Sequence, residues 1–293
     1  MLAYNHTINF ASTYPEHFLQ NTLYFVQSMQ ENINKFPIKI EFNNNQEREI
    51  TLYSDQELSN SIENKKWVFV VTNVLHFYWK DSTPVIHYTL LTYGTQELLE
   101  YWMLHTLLPI YFSLQNKYYF FHAGAINVNN SAIALLAESY GGKSTLTDYF
   151  LNKKHALITD DKLALTFNSK SKIVEATSSY PFHRPYRAVE DIGQKTKIFC
   201  TSILPIQTLY YLNEKAPDAE IKISEIKGVK KFVHLRCSSE LNFKFSVQSS
   251  VKTLTEISNN IKLYTINIPW DLKRLEEVYL AIICHQNSLK DIL

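Results

Sequence analysis

Apolar and polar residues alternate over several short runs in the first 95 residues, which is the period of two typical of half-buried β-strands. Four runs rich in β-branched and aromatic residues are predicted to be strands: 38–42, 49–53, 67–72 and 85–92. After Gly94 the apolar spacing becomes helical, and a helix is predicted over 96–114 with Thr95 as its N-cap. Residues 1–95 are therefore predicted to form an N-terminal α+β region, for which substrate or partner binding is left open.

From about residue 120 onward, short apolar strands alternate with helical stretches, which is typical of α/β layers. Strands are predicted over 120–127, 131–137, 156–159, 163–167, 172–177, 209–212 and 264–268, and helices over 142–151 and from residue 272. In the first of these helices, Leu146, Tyr149 and Phe150 share one face and are expected to pack on the sheet. The pattern predicts a second domain over 96–293, although no linker marks the boundary.

Between a predicted strand and a predicted helix, residues 137–144 read AESYGGKS. This run is close to the phosphate-loop pattern G-x-x-x-x-G-K-[ST], in which bare backbone N–H groups and a helix N-terminus face an anion. Gly141 and Gly142 are two of only six glycines in the chain, and glycine permits positive φ and close backbone approach. Ala137 stands where the pattern has glycine, so a plain strand–turn–helix with a solvated lysine stays open.

A nucleotide in this loop would be bound by seven consecutive residues: Ser139, Tyr140, Gly141, Gly142, Lys143, Ser144 and Thr145. Lys143 would pair with the β- and γ-phosphates of ATP, and the Ser144 hydroxyl would ligate Mg²⁺. Thr145 would add a donor in the first helical turn. Tyr140 is large enough to lie over the nucleotide.

Two acidic residues, Asp160 and Asp161, directly follow a short apolar strand. They are candidates for a catalytic base and a metal ligand, but acidic residues are also common in turns. Adjacent strand residues point to opposite faces, so both carboxylates can face one site only if the strand ends there. His122, in the run FHAGA, is the third candidate catalytic residue, with an ordinary core or surface histidine as the alternative.

A small cationic group lies in the run SSYPFHRPYR, residues 178–187. Its candidate phosphate- or substrate-binding residues are His183, Arg184 and Arg187, because an arginine fork fits phosphates and carboxylates. Two prolines fix the run as a non-helical loop. A solvated basic loop is the alternative.

Taken in order, FHAGAI, AIALLAESYGGKSTL and HALITDDKL resemble the catalytic core of the HPr kinase/phosphorylase-like proteins, and more closely their divergent bacterial relatives than the HPr-modifying enzymes. The resemblance implies a P-loop kinase core of the HPr kinase and phosphoenolpyruvate carboxykinase type with mixed sheets. It also implies ATP and Mg²⁺ as cofactors, with Asp160 as the general base. Asp161 would assist the base or ligate the metal, and His122 would lie beside the acidic pair and the γ-phosphate.

The leading hypothesis is therefore a phosphotransferase that moves the γ-phosphate of ATP to a hydroxyl of a peptide, a protein or a small metabolite. The alternative is a non-catalytic nucleotide-binding sensor or assembly protein, with Ala137 and Tyr140 as marks of a decayed loop. A third interpretation is a kinase-fold partner in peptide maturation, in which the N-terminal half holds a peptide. The pattern does not identify the acceptor.

Net charge, hydropathy and cysteine content bear on the partners and the cellular compartment of the protein. The formal net charge of +1 gives no global field that would attract nucleic acid or an anionic membrane. The most apolar segment, 98–114, is shorter than the roughly 20 residues of a membrane span. Three cysteines, none at C-x-x-C spacing, and an N-terminus unlike a signal peptide favour a cytoplasmic protein. The oligomeric state stays open.

Overall fold

The computed structural model describes residues 1–41, 48–57, 64–138, 140–184, 189–241, 243 and 247–290. The chain forms two compact units. The first comprises Met1–Tyr118, Ala188–Ile192 and Leu241–Ser250, and the second comprises Tyr119–Arg187, Gly193–Glu240 and Val251–Leu293. Both units contain β-sheets and the chain has few helices, so the predicted mixed α/β class is confirmed.

The first unit contains, among the described residues, an eight-stranded sheet in the order β1-β2-β3-β8-β7-β6-β5-β4. Its strands are β1 (Leu2–Ala3), β2 (His6–Ala11), β3 (Thr22–Gln27), β4 (Ile38–Glu41), β5 (Ile50–Ser54), β6 (Lys66–Val71), β7 (Leu75–Lys80) and β8 (Val85–Leu90). Strands β2, β3 and β8 run parallel to one another, and the other pairs are antiparallel. The four predicted strands correspond to β4, β5, β6 and β8, although residue 42, the predicted end of the first, lies outside the described residues.

The predicted helix 96–114 is present as α1 (Gln96–Trp102), a π-helical turn (Met103–Leu107) and α2 (Leu108–Leu114). The Thr95 hydroxyl caps it by accepting the Leu98 N–H at 3.3 Å. Pro109 has no N–H to donate to the preceding turn, and the helix widens into the π turn just before it.

This helical segment lies in the first unit, so the structural boundary falls after Tyr118 and not after residue 95 as predicted. The reason is aromatic packing against the first sheet. The Trp102 ring lies 6.4 Å from that of Phe69, and the Tyr111 ring lies 6.1 Å from that of Trp79. Trp79 and Trp102 are fully buried, so the helix completes the core of the first unit.

The second unit contains, among the described residues, a nine-stranded sheet in the order β12-β10-β11-β17-β14-β13-β9, with β19 beside β17 and β18 beside β19. Its strands are β9 (Tyr119–His122), β10 (Gly124–Val128), β11 (Ser131–Leu136), β12 (Ala156–Thr159), β13 (Lys162–Asn168), β14 (Ile173–Thr177), β17 (Leu204–Lys215), β18 (Ile223–Ile226) and β19 (Lys262–Pro269). A separate ribbon pairs β15 (Phe182–His183) with β16 (Gln194–Lys195). Strands β11, β17 and β19 are parallel neighbours.

The predicted strand 120–127 is two strands, which corrects the sequence interpretation. β9 pairs with β13, whereas β10 pairs with β11 and β12. Between them the Ala123 N–H donates to the Asp161 carbonyl at 3.0 Å. The chain therefore changes pairing partners next to His122 and beside the acidic pair.

Helices cover both faces of the parallel strands. They are α3 (Lys143–Asn152), α4 (Gly228–Cys237), α5 (Val247–Asn260), a 3-10 turn (Leu272–Arg274) and α6 (Leu275–Lys290). Alternate residues of β11 enter two different cores, as the strand period requires. Ile133 and Leu135 pack with Leu146 and Phe150 of α3, as predicted, while Ala134 faces the core that includes residues of α4 and α5. The prediction was wrong for Tyr149, which is only partly buried and turns to α6, where its hydroxyl bonds Glu276 and its ring lies 5.9 Å from that of Tyr279. Within the described part of the chain, no helix has the length and apolar character needed to cross a bilayer.

Candidate functional site

Strand β11, a tight turn and helix α3 follow one another at the candidate loop. The Gly141 N–H donates to the Glu138 carbonyl at 3.0 Å, which closes the turn. A Cβ on Gly141 would lie 2.9 Å from the Ala137 Cβ, so the turn requires glycine there. Ala137 itself fits at the end of the strand. Ser139, one of the predicted nucleotide-binding residues, lies outside the described residues.

Helix α3 starts from a left-handed residue, Gly142, whose φ is +81°. Ser144 is partly buried and Thr145 is exposed in the first turn. The first N–H groups of a helix have no intrahelical acceptor and carry partial positive charge. Tyr140, at the apex of the turn, is 76% exposed and also has a positive φ, of 67°, which is unusual for a bulky residue.

The Lys143 side chain is buried and points towards the acidic pair. Its Nζ lies 2.7 Å from Nε2 of His122 and 3.4 Å from Oδ1 of Asp161. The opposite ring nitrogen, Nδ1 of His122, lies 2.9 Å from the same carboxylate oxygen. A protonated Lys143 must donate to Nε2, so the ring is then neutral and donates its Nδ1–H to Asp161. Three of the predicted site residues therefore form one hydrogen-bonded group.

The two aspartates occupy the turn between β12 and β13, where the strand ends, and both approach Arg184. The Arg184 backbone N–H donates to Oδ2 of Asp160 at 2.9 Å, and its guanidinium lies 3.7 Å from Oδ2 of Asp161. The other oxygen of Asp160, Oδ1, is buried and has no hydrogen-bond partner among the described residues. An unpartnered buried carboxylate oxygen is costly, so it requires an explanation.

Sequence reasoning missed an ion pair beside this group, formed by a buried lysine and a partly exposed glutamate. Lys162 is buried, and its Nζ bonds the Glu240 carboxylate and lies 3.3 Å from Oδ2 of Asp161. Glu240 also lies 3.5 Å from Nδ1 of His122. The backbone holds it there, because the Glu240 N–H donates to the Phe120 carbonyl of β9 at 2.9 Å. Lys162 belongs to the run that carries the family resemblance, whereas Glu240 follows α4 and has no sequence signal.

The predicted phosphate- or substrate-binding residues are only partly joined to this group. Arg184 contacts both aspartates, as described. His183 is buried in β15, where its Nδ1 lies 4.0 Å from Asp148 and its Nε2 has no partner among the described residues. Arg187 lies outside the described residues. The run predicted as an irregular loop thus contributes one short strand.

The side chains of this group have pKa values that are shifted in different directions. Burial raises the pKa of Asp160, although the Arg184 N–H and the nearby His183 oppose this. Burial also lowers the pKa of Lys143. For His122, burial alone would lower the pKa, but Asp161 and Glu240 outweigh it and the net change is upward.

The Lys162–Glu240 pair is held in its charged form. Burial would raise the pKa of Glu240, but Lys162 and His122 lower it to about 2. Burial would likewise lower the pKa of Lys162, but Glu240 and Asp161 raise it. Both residues are therefore ionised at neutral pH.

A close approach beside the loop explains another glycine. A Cβ on Gly124 of β10 would lie 2.6 Å from Oγ1 of Thr147 and 3.5 Å from Cγ of Lys143. Helix α3 therefore rests directly on the β10 backbone at this point. Gly124 is thus a positioning residue for Lys143, and its place in FHAGA, with so few glycines in the chain, is a signal that the sequence carried.

The oxygen atoms near the loop could hold Mg²⁺ together with a nucleotide. Within the described part of the chain, no three His, Cys, Asp or Glu side chains are grouped to hold a metal ion. Mg²⁺ in nucleotide sites commonly has one or two protein ligands and otherwise phosphate and water oxygens. The Ser144 hydroxyl and the acidic pair, with the unpartnered Oδ1 of Asp160, are compatible with that arrangement.

Comparisons with known proteins do not identify the family of this chain. No protein-family model matches the chain, and no curated protein sequence matches it. One of the solved structures that it resembles is the Hpr(Ser) kinase/phosphatase from Coxiella burnetii, with a TM-score of 0.34 and 10% sequence identity. That similarity covers 58% of this chain and 98% of the other.

Proposed function

We propose that this protein is an ATP- and Mg²⁺-dependent phosphotransferase that transfers the γ-phosphate to a hydroxyl group. The observation that supports it most is the buried Oδ1 of Asp160, which has no hydrogen-bond partner among the described residues and belongs to the acidic pair that Lys143, at the start of α3, contacts through Asp161. A helix N-terminus with a glycine turn can hold phosphates, and a nearby carboxylate with a free lone pair can accept a proton. Phosphoryl transfer requires both.

In this proposal the two aspartates have different roles. Asp161 has oxygens near Lys143, Lys162 and Arg184 and therefore keeps its charge within the group. Asp160 has one oxygen without a hydrogen-bond partner among the described residues and a raised pKa, so it is the better proton acceptor for the attacking hydroxyl. A raised pKa brings a general base nearer to the operating pH, where its efficiency is greatest.

The remaining residues would bind the nucleotide and Mg²⁺ and orient the acceptor. Gly141, Gly142 and the amides of the first α3 turn would hold the phosphates, and Lys143 would neutralise them. Ser144 and Asp161 would hold Mg²⁺, which supplies charge neutralisation at the transferred group when it is bound. His183, Arg184 and Arg187 would bind an anionic part of the acceptor.

The test is phosphate transfer from γ-labelled ATP with Mg²⁺ to a panel of serine, threonine, sugars and cell-extract peptides. Asp160→Asn should abolish transfer and leave ATP binding intact. The exposed Asp218→Asn is the matched control and should behave as wild type. Transfer at the wild-type rate by Asp160→Asn would refute the role given to Asp160.

A second candidate is a non-catalytic nucleotide-binding protein. Two observations favour it: Lys143 is already bonded within the acidic group, and Tyr140 occupies the loop apex in a left-handed conformation. This candidate predicts ATP binding without transfer to any acceptor and without any effect of Asp160→Asn. The same labelled-ATP assay therefore separates the two candidates.

A further inference from the structure

One tryptophan of the four differs from the others in its surroundings. Trp67, Trp79 and Trp102 are buried in the first unit, with exposures of 3%, 0% and 0%. Trp270 is 47% exposed and lies in the second unit. Tryptophan has a large apolar surface, and a half-exposed ring leaves part of that surface open to a ligand.

Trp270 lies at the rim of the candidate phosphate loop. A Cβ on Gly142 would lie 3.3 Å from Cζ3 and 3.7 Å from Cη2 of the indole. The backbone fixes this position, because the Trp270 N–H donates to the carbonyl of Lys215, at the end of β17, at 3.0 Å. Trp270 follows β19 directly, and the carboxyl ends of parallel strands form the edge at which α/β sheets bind ligands.

The ring is also available for contact. In the part of the chain that the structure describes, no aromatic ring and no hydrogen-bond acceptor partners the Trp270 indole. Aromatic side chains beside a phosphate-binding groove provide a stacking surface for nucleic acid bases. The buried Oδ1 of Asp160, for which the described part of the chain offers no hydrogen-bond partner, independently indicates that this end of the sheet faces a ligand.

We infer that the Trp270 indole is the surface on which the base of the bound nucleotide stacks while its phosphates lie at the start of α3. This inference rests on the proposed function, since it concerns the same bound nucleotide. Stacking tolerates any base because every base has a π-face. ATP and GTP should therefore bind with similar affinity, and both should bind more tightly than inorganic tripolyphosphate.

The experiment compares ligands with and without a base. The affinities of the full-length protein for ATP, GTP and inorganic tripolyphosphate are measured by calorimetry in the presence of Mg²⁺. Trp270→Ala should weaken ATP and GTP binding about tenfold and leave tripolyphosphate binding unchanged. Trp270→Phe keeps a ring and should recover most of the loss, and the exposed Leu272→Ala is the matched control and should bind as wild type.

Because Trp270 is more exposed than the other three tryptophans, fluorescence quenching gives a second test. Because the other tryptophans are buried, acrylamide should quench mainly Trp270, and ATP but not tripolyphosphate should reduce that quenching. Equal wild-type affinities for ATP and tripolyphosphate would overturn the stacking role and leave the phosphate site standing. An equal loss of both ligands in Trp270→Ala would show that the indole only supports the loop, which also overturns it. A wild-type protein that binds none of the three would overturn the proposed function as well.

Discussion

Replacing Gly124 by alanine tests how tightly helix α3 is held against β10. The added Cβ would lie 2.6 Å from Oγ1 of Thr147, which is 0.8 Å less than the 3.4 Å at which ordinary contact begins. The φ of Gly124 lies outside the left-handed region, so the backbone accepts alanine and the collision alone decides the outcome. Thr147 is fully buried and cannot rotate away into solvent. Overpacking of this kind costs about 2 kcal/mol of unfolding free energy.

The compensating change makes the prediction quantitative. Thr147→Ala removes the colliding atom, and because Oγ1 has no hydrogen-bond partner among the described residues, the loss should be only about 1 kcal/mol. The double variant should then be more stable than the sum of the single effects by about 1–2 kcal/mol. Urea unfolding followed by circular dichroism measures each value. Thr145→Ala, an exposed position on the same helix, is the matched partner and should combine additively with Gly124→Ala.

Two results would refute this reasoning. Gly124→Ala with wild-type stability would show that α3 can move away from β10 at no cost. Strict additivity of Gly124→Ala with Thr147→Ala would show that the collision is not the source of the loss. In either case Gly124 would no longer be a positioning residue for Lys143.

Three further predictions concern single residues of the site. Glu240→Gln should cost about 3 kcal/mol at pH 7, because it leaves Lys162 buried without its main partner. The pKa of Glu240 is lowered from 4.5 to about 2, so its contribution to stability is present above pH 4.5 and is lost as the pH falls towards 2. Urea unfolding should therefore show the unfolding free energies of the variant and the wild type converging over that range. A difference that stays constant with pH would contradict this prediction. Tyr140→Gly should raise the unfolding free energy by about 1 kcal/mol, since glycine removes the left-handed strain at an exposed position, and an unchanged urea midpoint would count against this. Lys143→Met should weaken binding of tripolyphosphate about tenfold or more in calorimetry, and unaltered affinity would exclude Lys143 from the phosphate site.

The sequence predicted the elements whose residues follow one clear period. Strand β12 and the helix over 96–114 have their predicted bounds. For the helix, the apolar spacing and the Thr95 cap indicate the same first residue. Strand β3 was missed because it is buried over five successive residues and does not alternate. Helices α4 and α5 were also missed. Helix α4 buries one described residue, Leu235, and has no side-chain cap, so its sequence carries a weak helical signal. Helix α5 is rich in serine, threonine and asparagine, which favour helices weakly.

The candidate site was predictable where it is local in sequence. The loop, the acidic pair and His122 come from three nearby runs, and the structure brings His122, Lys143 and Asp161 within hydrogen-bonding distance. Glu240 could not be predicted, because it reaches the site through backbone pairing with β9 that no sequence pattern marks. Trp270 likewise becomes a candidate only once parallel pairing places the end of β19 beside the loop.

The charge balance of the site indicates which group responds to a nucleotide. Three cationic and three acidic side chains meet around His122: Lys143, Lys162, Arg184, Asp160, Asp161 and Glu240. A triphosphate would bring more negative charge than one Mg²⁺ cancels. Lys162, whose pKa is raised by Glu240 and Asp161, and Arg184 are already protonated at neutral pH, so they cannot offset the excess by taking up a proton. His122 can, because its pKa is already raised by Asp161 and Glu240, and a neighbouring phosphate would raise it further. Protonation of Nε2 would also end its hydrogen bond from Lys143 and release that lysine to the phosphates, so the histidine would link nucleotide binding to the position of Lys143.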